Sequence, residues 1–543
     1  MTKQWERQRR TKWAKTSVRR LAVGFGAGLV AVGSVMGARS ASAAGSEAGS
    51  RASSQAGREA SHRGGARTAT PIKHVVVIYQ ENHSFDNYFG TYPHALNPTG
   101  EPAFHAAPGT PRVNGLTEEL LDHNPNLANP FRLDRSQELT CDNDHGYTLL
   151  QSAYDNGLVD KFVQAVGPKG TGCSPTLTMG HYDGNTVTAL WEYAQHFAMS
   201  DNNFDDTYGP SIPSIVNLIS GQTAGAVASG PTSAVAGGTL IANIGPAYDD
   251  CDDSGASTVE MTGRNIGDLL NAKHVTWGWF DGGFRPTSTV NGSPVCGSRH
   301  TSVTGVETAD FSGGDDPFQF YASTGNPLHF PPSMSVMIGH SDQANHQYDL
   351  SDFWTAADAG KLPAVSFLRA PTYEQGHPRN SDPLDEQNFL VSTINHLQTL
   401  RSWRSTAVII TCDESDGWYD HVMPPIVNDS QSVQDDRTGP GFCGAQAPLD
   451  GFQDRCGYGP RIPELVISPY SRVNFISHAL SAQSSIIRFI EKNWKLGHIG
   501  GGSFDTRSGT IAAMFNFHHA AAGKLFLDPA TGEPVAFPPA AGG

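Results

Sequence analysis

HVVVIYQENHSFDNYFGTYP, residues 74–93, is the stretch that decides the fold. It begins with a continuous apolar run, which is typical of a strand buried on both faces of a parallel sheet. Small turn residues usually follow a strand. Here the strand is followed by a carboxylate, an amide, an imidazole and a hydroxyl, with aromatic residues between them. In open α/β sheets, ligands bind beyond the carboxyl ends of the strands. The polar residues that follow this strand therefore predict a binding site at its carboxyl end.

Further apolar runs repeat the pattern along the chain: VTWGWF (275–280), AVSFL (364–368), AVIITC (407–412) and ELVISP (464–469). Apolar residues at helical spacing occur in DEQNFLVSTINHLQTL and in SHALSAQSSIIRFIEKNW, the second with a predicted cap at Ser477. Alternating strands and helices predict an α/β fold, a three-layer αβα sandwich with a large, mostly parallel sheet. Residues 222–310 are rich in Gly, Ser, Thr and Asp, and we interpret them as a loop-rich lid or insertion.

The N-terminal segment, residues 1–44, has the parts of a secretory signal peptide: a basic stretch, a Gly-rich apolar stretch, and ASA at 41–43 as a cleavage site. Export through the Sec route is one expectation, and Arg19-Arg20 before the apolar stretch is a feature of the twin-arginine route. An uncleaved membrane anchor is the alternative, which the ASA site and the glycines disfavour. Residues 45–70 are rich in Ser, Gly, Ala and Arg and predict a disordered linker, so the folded domain is expected over 71–543.

The charge of the chain limits its partners. The 543 residues carry a formal net charge of −16, which becomes about −24 once the nine basic residues and one acidic residue of 1–44 are removed. Binding to a phosphate backbone needs a basic face, so no nucleic-acid partner is expected. No stable membrane span is expected after signal cleavage.

The cysteine count fits an exported protein. Seven cysteines in an oxidising compartment predict three disulfide bonds and one free thiol. Cys412 lies within an apolar strand and is the predicted buried thiol. The predicted pairs are Cys443–Cys456, which closes one short loop, and, by elimination, Cys251–Cys296 and Cys141–Cys173.

Several predicted strands end in carboxylates or imidazoles. Glu81 and Asn82 follow the first strand, His377 follows AVSFL, and Asp413 and Glu414 follow AVIITC. Two adjacent carboxylates repel each other unless a cation lies between them. Such an oxygen-rich set suits Mg²⁺, Ca²⁺ or Mn²⁺, and nearby histidines extend the choice to Zn²⁺. A lone acid pair is more often a solvated loop, so this prediction requires that the strands be neighbours in the sheet.

Ser211 is the candidate nucleophile. It lies in TYGPSIPSIVNLISG (207–221), between two prolines at a predicted helix start. A hydroxyl at that position faces the positive end of the helix dipole, which lowers the cost of an alkoxide or a bound phosphate. A plain serine N-cap is the alternative interpretation.

Five motifs then occur in a fixed order: ENHSFDNYFGTYP, GPSIPSIVNLISG, LPAVSFLRAPTYEQGHP, TCDESDGWYDHVMPP and YGPRIPELVISPYS. Together, from about residue 71 to about residue 495, they resemble the bacterial phosphoesterase family of phospholipases C and related acid phosphatases. The resemblance implies an alkaline-phosphatase-like fold, a large mixed sheet with helices on both faces. It also implies a divalent metal ion bound by Glu81, Asn82, Asp413 and Glu414.

The resemblance implies catalytic roles as well. Ser211 takes the nucleophile position, and His145, His329 and His377 match histidines that line the pocket. The implied reaction has two steps, in which Ser211 forms a phosphoserine that water then hydrolyses, while a histidine protonates the leaving group. Leu328 stands where a second histidine is expected.

Glu414 also departs from the family pattern, because close acid-phosphatase relatives tend to carry Asp there.

The expected function is that of a secreted, metal-dependent phosphoric-ester hydrolase, a broad-specificity acid phosphatase acting on small phosphate esters. GHSDQANHQYDL, at 339–350, looks closer to that branch, and no C-terminal β-domains are expected because the chain stops soon after the last motif. Phospholipase C, acting on phospholipid, is the alternative, and a catalytically inactive binding protein is the alternative outside this class. A sulfatase is disfavoured because SIPSI, at 211–215, lacks the arginine of a C/S-x-P-x-R sequence.

Overall fold

An eight-stranded sheet forms the centre of the computed structural model, which describes residues 67–252, 255 and 257–538. Its strands are β1 (His74–Gln80), β2 (Ala198–Ser200), β3 (Trp277–Asp281), β4 (Gln347–Asp349), β5 (Val365–Arg369), β6 (Thr406–Cys412), β7 (Glu464–Ile467) and β8 (Phe475–Ser477). Their order across the sheet is β4-β3-β5-β1-β6-β7-β2-β8. Strand β7 runs antiparallel to both its neighbours, and the other neighbouring strands run parallel. The predicted α/β class with a mostly parallel sheet is confirmed.

Helices cover both faces of the sheet. They are α1 (Phe85–Phe89), α2 (Glu118–Asp122), α3 (Tyr147–Ala153), α4 (Phe162–Ala165), α5 (Thr188–His196), α6 (Ser211–Ser220), α7 (Ile266–Ala272), α8 (Leu350–Asp358), α9 (Pro383–Thr399) and α10 (Gln483–Trp494). Successive residues of a strand point to opposite faces. Accordingly, Val76 and Ile78 of β1 belong to one core with residues of α5, α8 and α9, and Val75 and Val77 belong to a second core with residues of α6, α7 and α10. The structure therefore has the three predicted layers.

The predicted strands all lie in the central sheet, but three of its strands were not predicted. Strands β2, β4 and β8 have three residues each, which is too short to show a period. Helix α9 is confirmed, but the predicted cap of α10 is wrong, because Ser477 ends β8 and the helix begins at Gln483. Between them the chain bends at Ala479, and Ser481–Ala482 pairs with Asn203–Phe204 just before the helix.

The remaining strands are two to four residues long and lie outside the central sheet. They are Phe131–Arg132, Gly180–His181, Asn203–Phe204, Ala226–Ala228, Val235–Ala236, Thr239–Leu240, Gly245–Pro246, Thr258–Met261, Ser288–Val290, Ser293–Val295, Arg299–Thr301, Glu307–Ala309, Ser481–Ala482, Phe526–Leu527 and Pro534–Val535. The loop-rich segment 222–310 is not continuous, because α7 and β3 lie within it and belong to the main fold. Trp277 and Trp279 are fully buried, which explains why β3 is drawn into the sheet. The proposed lid role of the two flanking parts stays a prediction.

The disulfide predictions are confirmed. Bonds join Cys141 to Cys173, Cys251 to Cys296 and Cys443 to Cys456, and Cys412 is free and buried. Among the described residues, no helix combines the length and the apolar character needed to cross a membrane. The predicted signal peptide and residues 45–66 of the predicted linker lie outside the described residues.

Candidate active site

Strands β5, β1 and β6 are neighbours, and they run in the same direction. Tyr79 of β1 is opposite Arg369, the last residue of β5, and Gln80 is opposite Cys412, the last residue of β6. The polar residues that follow each strand therefore leave the sheet at one edge. The predicted metal site required that these strands be neighbours in the sheet, and they are.

The carboxylates of Asp413 and Glu414 are fully buried at this edge. Both side-chain oxygens of Asp413 and the Oε1 atom of Glu414 have no hydrogen-bond partner. Burial, and then the charges of Glu81 and Glu414, raise the pKa of Asp413 well above its usual range. Burial also raises the pKa of Glu414 to about 7. A buried carboxylate without a partner is costly, so these oxygens call for a cation.

Glu81 lies beside these carboxylates, but a cation from the protein already accompanies it. The guanidinium of Arg369 donates to Glu81 Oε1, and it also contacts Asp315 Oδ2 at 2.6 Å. The amide of Gln375 donates to Glu81 Oε2 at 3.3 Å. Arg369 is 1% exposed, so the ion pair is buried. Of the four predicted metal ligands, Glu81 is thus the one whose carboxylate is already paired with a cationic side chain, which competes with a metal ion.

Ser211 is the first residue of α6, and Pro210 is the N-cap residue. Because Pro210 and not Ser211 occupies the N-cap position, the plain serine N-cap interpretation is wrong. Instead, the Asn82 amide nitrogen donates to Ser211 Oγ at 3.4 Å, while the Asn82 amide oxygen has no partner. Asn82 therefore joins the candidate nucleophile to the strand edge that carries the unpartnered carboxylate oxygens.

His145 lies against the same carboxylates. Its Nε2 atom is 3.7 Å from Glu414 Oε1, and its Nδ1 atom is 3.1 Å from Asp416 Oδ1. Burial lowers the pKa of His145, but the charges of Glu414 and Asp416 outweigh burial and raise this pKa well above its usual value. His145 also lines an open cavity of about 360 Å³ that reaches Pro210, the residue before Ser211.

The other two predicted histidines differ in position. His377 Nε2 lies 3.8 Å from Glu81 Oε2, so His377 belongs to the strand edge. His329 is fully buried elsewhere: its Nε2 contacts Asp249 Oδ1 at 2.9 Å, its Nδ1 contacts the Phe284 carbonyl at 2.7 Å, and its ring stacks on Phe284. Neither nitrogen of His329 is directed to the carboxylates, so His329 is not brought together with the other site residues.

The donor atoms fit a divalent cation. Asn82 Oδ1, both oxygens of Asp413 and Glu414 Oε1 are oxygen atoms of buried side chains that lack a hydrogen-bond partner among the described residues, although His145 Nε2 lies 3.7 Å from Glu414 Oε1. Hard cations such as Mg²⁺, Ca²⁺ and Mn²⁺ prefer such oxygen ligands. Asn82, Asp413 and Glu414 are therefore the residues best suited to hold the metal ion.

Two residues of the candidate site, Arg369 and Asp416, were not predicted from the sequence. Arg369 follows AVSFL directly, and a charged residue that ends a buried strand needs a partner, which was a usable signal. Asp416 lies in the motif TCDESDGWYDH, but only the fold shows that it contacts His145 rather than solvent.

The loop that carries Asn82 is anchored by a buried charge network. Asp86 accepts from Arg461 at 2.9 Å, and His421 Nδ1 lies 2.5 Å from the other oxygen of Asp86. Arg461 also contacts Asp420 at 3.1 Å. These contacts join the loop after β1 to the loop after β6, which holds the two halves of the candidate site together.

We expect the Asp86–His421 contact to make stability depend on pH. Burial opposes protonation, but Asp86 raises the pKa of His421 above its usual value. Because the folded pKa exceeds the unfolded value of about 6.5, the contribution is complete below that pH and is lost as pH rises through the folded pKa. The variant His421→Gln should lose about 1–2 kcal/mol of unfolding free energy at pH 5.5, and less at pH 9. Denaturant unfolding at both pH values checks this result, with the exposed His105→Gln as control. An equal loss at both pH values would contradict it.

Comparison with known proteins identifies relatives. The family model "Phosphoesterase family" matches residues 72–497. A non-hemolytic phospholipase C of Pseudomonas aeruginosa is 24% identical over 438 residues, covering 78% of this chain and 54% of that protein. A non-hemolytic phospholipase C of Burkholderia pseudomallei is 26% identical over 464 residues, covering 78% of this chain and 55% of that protein. Phospholipase C A of Mycobacterium tuberculosis is 25% identical, covering 74% of this chain and 69% of that protein.

The chain thus spans about half the length of the Pseudomonas and Burkholderia relatives that it matches. Among solved structures, a protein of the alkaline phosphatase superfamily from Vibrio parahaemolyticus matches 80% of this chain and 69% of its own, with 11% identity and a TM-score of 0.29. The family match covers more than three quarters of the chain and includes the five motifs noted in the sequence. The resemblance seen in those motifs is therefore confirmed, and the chain belongs to the phosphoesterase family.

Proposed function

We propose that this protein is a metal-dependent phosphoric-ester hydrolase in which Ser211 is the nucleophile. One observation carries the proposal: the unpartnered, buried oxygens of Asp413 and Glu414 lie at the strand edge where Asn82 contacts Ser211 Oγ. Family membership supports the reaction class. A hydroxyl group, an oxygen-rich cation site and a protonated imidazole are the groups that phosphoryl transfer to a serine requires.

The roles of the individual side chains follow from their contacts. Asn82 orients the Ser211 hydroxyl, which attacks phosphorus, releases its proton to solvent and displaces the alcohol. Water then hydrolyses the resulting phosphoserine, which releases phosphate and restores the serine hydroxyl. When bound, a divalent cation neutralises the carboxylates and stabilises negative charge on the phosphate oxygens. His145, whose Nδ1 atom lies 3.1 Å from Asp416 Oδ1, donates a proton to the leaving oxygen. His377 lies beside Glu81 at the same strand edge. We assign His329 a packing role, because both its ring nitrogens already contact other groups.

Small phosphomonoesters are the substrates that we propose first, which makes the protein a broad-specificity acid phosphatase. The cavity at His145 and Pro210 is polar; its other lining residues are Asp142, Asn143, Asp144, Gly146, Pro168 and Lys169. Apart from the prolines, it offers no apolar side chain to an acyl chain. The alternative is a phospholipase C, which the names of the relatives favour. The carboxylates of Asp142 and Asp144 also suit an ester whose alcohol is cationic, as in a choline head group.

The disulfide bonds support a location outside the cytoplasm. The three disulfide bonds of the structure are stable in oxidising compartments. The proposed protein is therefore a secreted or cell-envelope enzyme, in agreement with the predicted signal peptide.

A substrate panel tests this proposal. Protein of measured metal content is assayed with an aryl phosphate monoester, a bis-aryl phosphate diester and phosphatidylcholine vesicles. We expect kcat/KM for the monoester to exceed that for both diesters by about tenfold or more, which corresponds to about 1.4 kcal/mol of transition-state free energy. Faster release of phosphocholine from the vesicles would replace the first proposal by the phospholipase alternative. Absence of any hydrolysis by metal-loaded protein would favour the binding protein.

A further inference from the structure

Three side chains near the C-terminal end of α10 form a group that the proposed reaction does not use. Glu491 lies in the last turn of α10, and His498 and Asp505 lie in the segment that follows this helix. One carboxylate oxygen of each acid and one ring nitrogen of His498 all lie within 4.8 Å of one another. The spacing of these atoms suits the binding of a single metal ion.

Both acids of the group are buried, whereas the histidine reaches the surface. Glu491 is 2% exposed and Asp505 is 0% exposed, but the side chain of His498 is 55% exposed. A buried carboxylate needs a compensating charge. Among the described residues, no lysine or arginine forms an ion pair with either carboxylate. The neighbouring guanidinium groups of Arg264 and Arg488 donate to backbone carbonyls instead.

The hydrogen bonds of the two carboxylates are incomplete. The Ile499 amide is shared, because it donates to Glu491 Oε1 at 3.1 Å and to Asp505 Oδ2 at 2.8 Å. The other oxygen of this fully buried side chain, Asp505 Oδ1, has no hydrogen-bond partner. It lies directly beside Oδ2, which is 3.5 Å from His498 Nδ1. Burial, and then Asp505, raise the pKa of Glu491 to about 9, so this acid is protonated at neutral pH unless a cation joins the two carboxylates.

Another histidine of the protein shows the contacts of a complete ion pair. His478 Nδ1 lies 2.9 Å and 3.0 Å from the two oxygens of Asp201, and Asp201 Oδ2 also accepts from the Asn114 amide at 2.8 Å. Each oxygen of Asp201 therefore has a partner. His498, by contrast, contacts two carboxylates, and one of their oxygens still lacks a partner.

The distances within the group fit tetrahedral coordination. His498 Nδ1 is 3.1 Å from Glu491 Oε2 and 3.5 Å from Asp505 Oδ2. Zinc bonds to imidazole nitrogen and to carboxylate oxygen are about 2.0–2.1 Å long, which places two tetrahedral ligands about 3.3 Å apart. Carboxylate and imidazole are also ligand types that Zn²⁺ accepts, and a water molecule can take the fourth position.

We propose that Glu491, His498 and Asp505 bind a second divalent cation, one that accepts mixed nitrogen and oxygen ligands as Zn²⁺ does. This site is separate from the candidate active site. The first residue of α10, Gln483, contacts the Asp413 carbonyl, and Glu491 lies eight residues further along the helix, or about 12 Å. The proposal therefore does not depend on the proposed reaction.

The position of the second cation gives it a structural role. It joins α10 to the segment 498–505, and that segment contacts the C-terminal end of α6. The Ser503 hydroxyl donates to the Ser220 carbonyl at 2.7 Å, and the Phe504 amide donates to the Gly221 carbonyl at 2.9 Å. The cation therefore stabilises the contact between α10 and the helix that begins at Ser211.

The experiment compares Zn²⁺ binding by His498→Gln with Zn²⁺ binding by the wild type. Metal-free full-length protein is titrated with Zn²⁺ by calorimetry, and the Zn²⁺ bound after dialysis is counted by elemental analysis. We expect His498→Gln to bind one Zn²⁺ fewer per chain, because the loss of one of three ligands weakens this site about 100-fold or more. The difference between the two proteins does not include the proposed active-site ion, because His498 is not one of its ligands.

The matched control is His478→Gln, which replaces another exposed histidine that contacts a buried carboxylate. We expect this control to bind as many Zn²⁺ ions as the wild type, with affinities within about twofold. Equal Zn²⁺ content and affinity in His498→Gln and the wild type would overturn the inference, and His498 would then be only an ion-pair partner.

Asp505→Asn is the second variant, and it separates metal binding from folding. We expect it to lose the same Zn²⁺ ion, while its metal-free form unfolds at the wild-type temperature or higher, since a poorly compensated buried charge is removed. Zn²⁺ at about 100 times Kd should raise the unfolding temperature of the wild type about 2 °C more than that of Asp505→Asn. An equal rise in both proteins would contradict the inference. If Asp505→Asn does not fold, the result with His498→Gln decides alone.

A titration with Ca²⁺ checks the type of cation. We expect the wild type and His498→Gln to bind equal numbers of Ca²⁺ ions, because Ca²⁺ prefers oxygen ligands and the imidazole is the ligand removed. A site that takes Ca²⁺ and not Zn²⁺ would overturn the assignment to a cation with mixed ligands. Zn²⁺ loss in His498→Gln with no activity in any phosphate-ester assay of the wild type would support this site while refuting the proposed function.

Discussion

Ser211→Ala is expected to lower kcat for an aryl phosphate roughly a thousandfold or more, because it removes the atom that attacks phosphorus. The fold should persist, since the only side-chain contact described for Ser211 is the one from Asn82 at 3.4 Å. Metal content should also persist, because the unpartnered oxygens of Asp413 and Glu414 are untouched. Steady-state kinetics, elemental analysis and circular dichroism on the same preparation check these three expectations.

The matched control is Ser214→Ala, which changes a buried serine one turn further along the same helix. We expect its turnover to stay within about threefold of the wild type. Rapid quenching with radiolabelled phosphate ester should trap label on the wild type and on Ser214→Ala, but not on Ser211→Ala. Turnover near the wild-type value in Ser211→Ala would exclude Ser211 as the nucleophile.

Asp413→Asn and Glu81→Gln both replace a predicted metal ligand, but we expect them to have opposite effects on the stability of the metal-free protein. Asp413 has no partner, so Asp413→Asn should weaken metal binding about 100-fold or more while relieving repulsion in the metal-free protein. Glu81 is one of two anionic partners of buried Arg369, which keeps its contact with Asp315, so Glu81→Gln should cost about 1–2 kcal/mol of unfolding free energy, with a smaller loss of metal affinity.

Denaturant unfolding of metal-free protein and calorimetric metal titration, performed on both variants, separate the two effects. The double variant Glu81→Gln/Arg369→Met removes both charges of the ion pair and should recover part of the lost stability. Equal metal affinities for the wild type and Asp413→Asn would refute the proposed ligand set. A fully stable Glu81→Gln would show that Arg369 does not depend on Glu81.

The sheet could be predicted because its strands are locally distinctive. Val75 to Ile78 and Ala407 to Ile410 are apolar without interruption and rich in β-branched residues, which is typical of a strand buried on both faces. Strand β7 reads the same way in sequence but runs antiparallel, because a run of apolar residues carries no information on direction. The three-residue strands β2, β4 and β8 had no local signal of their own.

The candidate site could be predicted in part. The acids and the amide were recognisable because they follow buried strands, and Ser211 because two prolines define the helix start. The contact of Asn82 with Ser211 joins residues 129 positions apart, and that of Arg369 with Glu81 joins residues 288 positions apart. Such contacts depend on how the strands pair, so no local pattern reveals them.

By itself, therefore, the sequence determined the five longest strands of the central sheet, the helices α6, α9 and α10, the chemistry at the strand ends, and the number of disulfide bonds. These features follow from local periodicity and from side-chain type. Only the tertiary structure decided that Asp413 lacks a hydrogen-bond partner while Glu81 is paired with Arg369, and which histidines lie near these acids. The reason is physical: whether a buried charge is compensated depends on neighbours that are distant in the chain and are brought close only when the sheet assembles.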